Sequence, residues 1–223
     1  MESFAIAINR EAYRNQLRYH RMVIFLTVVL TSLVPDYGMA ETQEGWYTHT
    51  FGERTCELSP IATPSLPESI PEYTKLDPDT TMHVTGTARV IDVKDYTLEV
   101  SGNVTHPLKL SYDDLRCLPR VSSRSTIVCP GFFEDTATWA GTPFRDVLAL
   151  AAPLDDATHL RLVSEDGYSS LVSIEEAGGD GNYLAYEWEG EPIPVLHGFP
   201  VRAVFPELNG NKWVKWLVRI EVQ

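Results

Sequence analysis

Short runs in which apolar and polar residues alternate, each ended by turn residues, constrain the fold of this chain more than any other sequence feature. Tyr96, Leu98 and Val100 alternate with polar residues before Gly102-Asn103, which predicts a half-buried strand. Further strands are predicted at 125–129, 160–163, 171–174, 183–188, 201–205 and 213–222. Because the strands are widely separated and mixed with short helices, we expect an α+β domain with several small mixed β-sheets. A doubly wound fold is disfavoured, because the sequence shows neither the glycine-rich phosphate-binding motif of such folds nor their regular alternation of strands and helices.

Two short helices are predicted from residues that favour helix starts. Ser111 precedes a Tyr-Asp-Asp-Leu run and can accept a hydrogen bond from a free backbone N–H of the first turn. Pro143 suits the start of a second helix, in which Phe144, Val147 and Leu148 lie on one face.

The first forty residues have the layout of a secretory signal peptide. An apolar run at 22–35 is too short to cross a bilayer comfortably as a helix, follows several arginines and ends near Ala40. We therefore expect residues 1–40 to be removed on export to the periplasm or the cell exterior. Membrane association is expected only if this segment stays uncleaved. No arginine pair precedes the apolar run, so a twin-arginine signal is not indicated.

Residues 41–81 are predicted to be a proline-rich extension or linker. Five prolines lie between residues 60 and 78, and proline fixes the backbone and removes hydrogen-bond donors. The folded domain is therefore expected to span residues 82–223.

The charge of the chain limits its partners. Its net charge is −13, from 31 acidic and 18 basic residues, so the basic surface of a nucleic-acid-binding protein is not indicated. The same charge would slow the approach of an anionic substrate, which favours neutral substrates or a basic protein partner.

Three cysteines, Cys56, Cys117 and Cys129, lie in the expected mature protein. A Cys56–Cys117 bridge would leave Cys129 free, whereas a Cys117–Cys129 bridge would remove its thiol, and the sequence leaves both open. Cys129 comes at the end of a predicted strand, before Pro130-Gly131. There its thiolate could bind a transition metal whose other ligands come from a cofactor. The alternative is a buried, inert cysteine.

Cationic and donor side chains are concentrated near the C-terminus of this acidic chain. His197, Arg202, Lys212 and Lys215 fall within twenty residues. Arginine matches phosphate with two parallel hydrogen bonds, lysine supplies a point charge, and histidine can donate to phosphate or to another acceptor atom. The cluster thus predicts a phosphorylated, heteroatom-rich cofactor. The alternative is that these charged side chains lie on the solvent-exposed face of strands, and this alternative suits Lys212 best.

Separated motifs between residues 96 and 222 occur in a fixed order. They are YTLEVSG, LPR, WAGTPF, DGYSS, LAYEWEGEPIP, HGFPVR and VKWL. In the order and spacing of these motifs, the chain resembles the molybdopterin-binding domain of the sulfite oxidase family, which implies that family's fold. The resemblance implies that Cys129 ligates molybdenum, that His197, Arg202 and Lys215 bind the pterin and its phosphate, and that Asp166 lines the cofactor. Lys212 joins this cofactor-binding set as a neighbour in the cationic cluster.

What the resemblance implies chemically is an oxo-molybdenum centre with two sulfurs from the pterin and one from Cys129. Such a centre moves an oxygen atom to or from a small-molecule substrate and exchanges electrons with a haem-containing or similar partner. Phe132, Phe133 and Trp139 are candidates for the wall of the substrate pocket, and for Trp139 a role in the core is the alternative.

One departure from the family argues against sulfite as the substrate. Sulfite oxidases have an arginine pair shortly after the ligand cysteine, whereas Glu134 follows Cys129 here and would repel an anion. We therefore expect a molybdenum oxidoreductase with an uncharged, sulfoxide-like substrate. The alternative is a non-catalytic extracytoplasmic module that keeps the fold without the metal, which Glu134 and the signal type favour.

Overall fold

The computed structural model describes residues 45–223, and the predicted signal peptide lies outside them. Within this range the chain forms twelve β-strands in three sheets. The strands are β1 Tyr47–Phe51, β2 Arg54–Leu58, β3 Thr97–Gly102, β4 Leu108–Ser111, β5 Val121–Cys129, β6 Phe133–Pro143, β7 His159–Ser164, β8 Ser169–Ser173, β9 Tyr183–Trp188, β10 Glu191–Pro192, β11 Arg202–Val204 and β12 Leu217–Val222. The predicted α+β class with small mixed sheets is confirmed.

A long antiparallel hairpin of β5 and β6 forms the frame of one sheet. Its strand order is β10-β9-β6-β5, and β11 also pairs with β9. Cys129 pairs with Phe133 and Ile127 pairs with Asp135, so these four side chains share one face of the hairpin. Pro130-Gly131 was expected to end a brief strand, but Gly131, with φ +80°, turns the chain directly into β6.

The second large sheet has the order β4-β3-β12-β7-β8. Its central strand, β12, runs parallel to β3 and antiparallel to β7, which makes the sheet mixed. The alternating residues Leu98, Val100 and Ile220 are fully buried on its inner face, and they form a continuous apolar core with the β5–β6 sheet.

Three short α-helices connect the strands of the described part, α1 Tyr112–Cys117, α2 Phe144–Ala151 and α3 Ile174–Gly178. The predicted cap is confirmed, because the Ser111 side chain accepts from Asp114 N–H and Asp114 accepts in return from the Ser111 backbone. Helix α2 starts directly after Pro143. None of these helices is long and apolar enough to cross a membrane.

Two predicted strands differ from the structure. The strand expected at 213–222 begins only at Leu217, because Gly210–Lys212 forms a 3₁₀ turn and Trp216 has a left-handed backbone with φ +46°. The strand expected at 171–174 ends at Ser173, whose side chain caps α3. In both places a local backbone feature overrides the apolar pattern.

The extension before the domain packs on it as part of one compact unit, Thr42–Gln223. A disulfide joins Cys56 on β2 to Cys117 on α1, and it leaves Cys129 as the free cysteine of the described chain. The proline-rich stretch has no regular strand or helix, yet Asp77 and Thr80 near its end are buried. A buried carboxylate needs hydrogen-bond partners, and Asp77 finds them in the domain.

Loss of the disulfide should weaken the fold. The bridge closes a loop between residues 61 positions apart, which in the chain-entropy account corresponds to about 4 kcal/mol. We expect the Cys56→Ser/Cys117→Ser variant to lose about that much free energy of unfolding in urea titrations. A Cys129→Ser variant is the control, and its unfolding midpoint should still differ between the oxidised and the reduced protein. An unfolding midpoint that does not move on reduction would contradict the bridge.

Candidate functional site

A cleft of about 540 Å³ opens where the end of the β5–β6 hairpin meets the 3₁₀ turn, the loop before β12 and the extension. Residues of these elements, of the start of the domain and of the turn between β7 and β8 line it, among them Thr85, Cys129, Phe133, Asp166, Gly210 and Lys215. The structure thus brings together three residues that the sequence predicted for the site, Cys129, Asp166 and Lys215.

The thiol of Cys129 lies in the cleft, partly buried at the end of β5. Gly210 packs so closely against it that an added Cβ would be 2.5 Å from the sulfur. Burial raises the pKa of the Cys129 thiol, and the Asp135 carboxylate raises it further, while Arg202 and Lys215 partly oppose them. Arg202 and Lys215 would stabilise the thiolate once the proton has left.

Arg202 on β11 is buried without an acidic partner among the described residues. Its guanidinium packs against the rings of Trp139 and Trp213, 4.6 and 5.7 Å from their centroids. One terminal nitrogen donates to His197 O at 2.9 Å and the other to Trp213 O at 3.2 Å, whereas Nε has no partner. Burial lowers the pKa of Arg202 to about 9, although the group remains charged at neutral pH. A donor is therefore left for a ligand.

Lys215 is buried beside Arg202 and also lacks an acidic partner in the described chain. Its ammonium donates to the carbonyls of Thr85 and Leu196 and lies 4.7 Å from the Trp216 ring centroid. Burial lowers the pKa of Lys215 well below its ordinary value, and the Arg202 charge lowers it further. Arg202 and Lys215 are thus two buried cations that backbone carbonyls hold and no carboxylate directly bonds in the described chain, so both would attract an anionic ligand.

The side chain of His197 is bonded to two residues of the extension. Its Nε2 lies 2.9 Å from Asp77 Oδ2 and 2.7 Å from Thr80 Oγ1. Burial lowers the pKa of His197 to about 4, and the charge of Lys215 contributes, so the imidazole is neutral at neutral pH. Burial alone would raise the pKa of Asp77, but bonds from His197, the Asp79 N–H and Thr80 outweigh it and keep Asp77 ionised.

Asp166 lines the cleft and fixes the extension where it passes. Its Oδ2 accepts from Thr87 N–H at 3.2 Å and its Oδ1 from Tyr168 N–H at 3.0 Å. Burial opposes ionisation of this carboxyl, but these bonds and the Ser164 hydroxyl outweigh it and lower its pKa. Gly86 is required here, since its φ is +74° and an added Cβ would be 2.9 Å from Asp166 Oδ2.

Lys212 is not part of the cleft lining. Its ammonium donates to Leu171 O at 2.6 Å, on the neighbouring strand β8. Trp139 is fully buried against Arg202, whereas Phe132 and Phe133 do line the cleft.

The expected repulsion by Glu134 needs correction. Glu134 is exposed and pairs with Val128, so it lies on the opposite face of the hairpin from Cys129. The acid on the cysteine face is Asp135, which is buried and holds His83 through two 2.7 Å bonds, to its backbone N–H and to Nδ1.

Several residues of the site were missed by the sequence analysis. They are Asp77, Thr80, His83, Thr85, Gly86 and Asp135. Asp135 lies two residues after Phe133 and therefore on the same face of β6. A prediction of strand β6 from the sequence would have placed it beside Cys129. The other five lie in the extension or at the start of the domain, where no regular pattern marks them.

The thiol pKa provides a test of this geometry in the cofactor-free protein. Asp135→Asn should lower the pKa of Cys129, because it removes a nearby negative charge, and Lys215→Met should raise it, because it removes a positive one. The pH dependence of alkylation by iodoacetamide measures both. Glu134→Gln, one residue along the chain on the opposite face, is the matched control and should leave the pKa unchanged. A larger effect of Glu134→Gln than of Asp135→Asn would contradict the placement.

The chain is similar in sequence to known oxidoreductases. The uncharacterized oxidoreductase YuiH of Bacillus subtilis is 34% identical over 131 residues, which are 58% of this chain and 66% of YuiH. Human mitochondrial sulfite oxidase is 32% identical over 163 residues, covering 60% of this chain and 30% of that protein. The chain thus spans less than two thirds of the length of either relative.

A solved structure shares the fold. The sulfane dehydrogenase SoxCD of Paracoccus pantotrophus superposes with a TM-score of 0.57 at 21% identity, over 69% of this chain and 50% of that one. The sequence profile of the oxidoreductase molybdopterin-binding domain matches residues 84–223, the part that carries Cys129, Asp166, His197, Arg202 and Lys215. The chain therefore belongs to the oxidoreductase molybdopterin-binding domain family, and molybdopterin is its cofactor.

Proposed function

We propose that this chain is an exported oxidoreductase that transfers an oxygen atom at a molybdenum bound through the Cys129 thiolate. The observation that carries the proposal is the position of the free thiol in a cleft next to two buried cations, Arg202 and Lys215. In the described chain neither cation has an acidic partner, and both interact electrostatically with the thiol.

The donor set fits an anionic pterin cofactor. The unpartnered Nε of Arg202 is a buried donor for which the protein supplies no acceptor, and a phosphate oxygen would satisfy it. The positive charge of Lys215 would stabilise the same anion or the negatively charged sulfur ligands of the metal. His197 would contribute a neutral ring nitrogen toward the pterin.

When bound, the cofactor supplies a molybdenum that exchanges an oxygen atom with the substrate while cycling by two electrons. The protein contributes the thiolate and the charge around it. Because burial and Asp135 keep the free Cys129 protonated, its proton must leave on metal binding, and Arg202 and Lys215 stabilise the resulting negative sulfur. Gly210 leaves room at the sulfur that no other residue would leave.

The cleft favours an uncharged substrate. Exposed aromatic side chains lie at its rim, with Tyr73 at 68% and Phe132 at 78% exposure, and Tyr168 beside them. Lys215 is the sole cation that lines the cleft in the described chain, and two carbonyls already hold it. A sulfoxide or another small neutral oxo donor or acceptor suits this lining better than sulfite. The electrons would pass to or from a haem-containing partner.

Export is supported by the Cys56–Cys117 disulfide. Such bridges persist in oxidising compartments and are rare in the cytosol, and the N-terminal layout is that of a secretory signal. Together they favour a periplasmic or extracellular location.

Metal analysis tests the enzymatic role directly. Protein made in a molybdenum-replete host should contain molybdenum and show a thiolate-to-metal absorption band that Cys129→Ser abolishes. The Cys56→Ser/Cys117→Ser variant, which leaves Cys129 intact, is the control. The fraction of this variant that folds should still show the thiolate-to-metal absorption band. A chain that binds no molybdenum under any export route would instead be a non-catalytic module of the same fold.

Retention of the pterin tests Arg202. Arg202→Ala should weaken binding by about 1.5–3 kcal/mol through the loss of a charge-assisted hydrogen bond. Pterin bound per chain after dialysis measures this effect. Arg161→Ala on β7, which removes an exposed arginine away from the cleft, is the matched control. Equal pterin content in the two variants would exclude Arg202 from the binding site.

A further inference from the structure

The segment of residues 77–87, which we call the bridging segment, bonds to Lys215 and Asp166, which line the cleft, and to His197 in the turn that holds Lys215. Its Asp77 and Thr80 contact His197, its Thr85 carbonyl accepts from Lys215, and its Thr87 N–H donates to Asp166. The family profile begins only at residue 84. Asp77 and Thr80 thus lie before the matched domain, yet their side chains contact a residue within it.

The Asp77 carboxylate accepts three hydrogen bonds in a buried site. The Thr80 hydroxyl donates to Oδ2 at 2.9 Å, the Asp79 N–H donates to Oδ1 at 3.1 Å, and His197 Nε2 lies 2.9 Å from Oδ2. The exposed fraction of Asp77 is 4% and that of His197 is 1%. Water therefore competes little for these bonds, and the geometry of the pair is fixed by the protein.

The hydrogen bonds determine which nitrogen of His197 carries the proton. An ionised carboxylate only accepts, so the Nε2 next to Asp77 has to be the donor. Thr80 gives its own hydrogen to Asp77 and can only accept from Nε2. In a neutral imidazole the other nitrogen, Nδ1, then keeps its lone pair. No residue of the described chain forms a hydrogen bond with Nδ1, so its acceptor capacity is left for a ligand.

We propose that Asp77, supported by Thr80, is a positioning residue of the cofactor site: it holds His197 in the Nε2-protonated form and so presents Nδ1 as an acceptor for an N–H group of the pterin. The second half of this inference rests on the proposed function. The first half, the protonation state of His197, does not. A carboxylate that orients a ligating histidine through its other nitrogen is a general device of cofactor and metal sites.

The backbone around His197 explains why its orientation matters. His197 O accepts from Arg202, and Leu196 O accepts from Lys215. Gly198 follows with φ +112°, and an added Cβ there would lie 3.0 Å from Lys215 Cβ. The same short turn thus holds both buried cations and the imidazole, so Asp77 orients one member of a connected set.

Heteronuclear NMR of the ring nitrogens in cofactor-free protein gives the first test. Wild-type protein should show His197, assigned by comparison with His197→Gln, as a single form protonated on Nε2. In Asp77→Asn the amide can donate to Nε2, so the form protonated on Nδ1 should become populated. Asp79→Asn is the matched control, because Asp79 is exposed and its backbone N–H still bonds to Asp77. A wild-type His197 protonated on Nδ1 would overturn the proposal even if Asp77→Asn does not fold.

Cofactor retention gives the second test. Asp77→Asn should lower the affinity for molybdopterin roughly 10- to 100-fold, as is typical when the partner of a ligating histidine is lost. Asp79→Asn should retain wild-type affinity. Wild-type affinity in an Asp77→Asn protein whose His197 has changed its protonated nitrogen would overturn the link to the pterin. A wild-type chain that binds no molybdopterin would refute the proposed function instead, while the NMR result still decides the role of Asp77 toward His197.

Discussion

The guanidinium of Arg202, packed against two tryptophan rings, makes the contacts on which the organisation of this domain depends. It is bound by the turn at His197 and by the loop at Trp213, so one side chain holds together the segments that carry the site. Burying a charge without a counter-charge is costly, and most proteins would place a carboxylate there. This domain places backbone carbonyls there instead and leaves one donor unused. In the proposed function, that donor is available to an anion.

The two large sheets contribute different residues to that site. The β5–β6 hairpin presents the thiol and Asp135 on one face, while the sheet centred on β12 supplies the base of the loop that carries Lys215. Neither sheet forms the cleft alone. The cleft is closed by irregular segments, in which Gly86 and Gly210 lie where an added Cβ would be less than 3.0 Å from a neighbouring side chain.

The sequence predicted the fold class and part of the site because motif order and apolar alternation are local signals. Asp166 and Lys215 stand in such motifs and Cys129 ends a predicted strand, and the structure places all three in the cleft. Lys212 shares the motif region but bonds to a neighbouring strand, because a 3₁₀ turn that leaves no pattern in the sequence redirects it. Asp77 could not have been found, since its role depends on a contact 120 positions away along the chain and its surroundings look like a linker.

The contacts of the bridging segment have a thermodynamic consequence. The bridging segment bonds to His197, Lys215 and Asp166, and the last two also line the cleft, so docking of this segment and occupancy of the cleft are linked equilibria. Linkage is reciprocal: a ligand that prefers the docked arrangement of these groups must, by the same factor, favour the docked segment. An occupied cleft should therefore slow the opening of the bridging segment and protect its backbone amides.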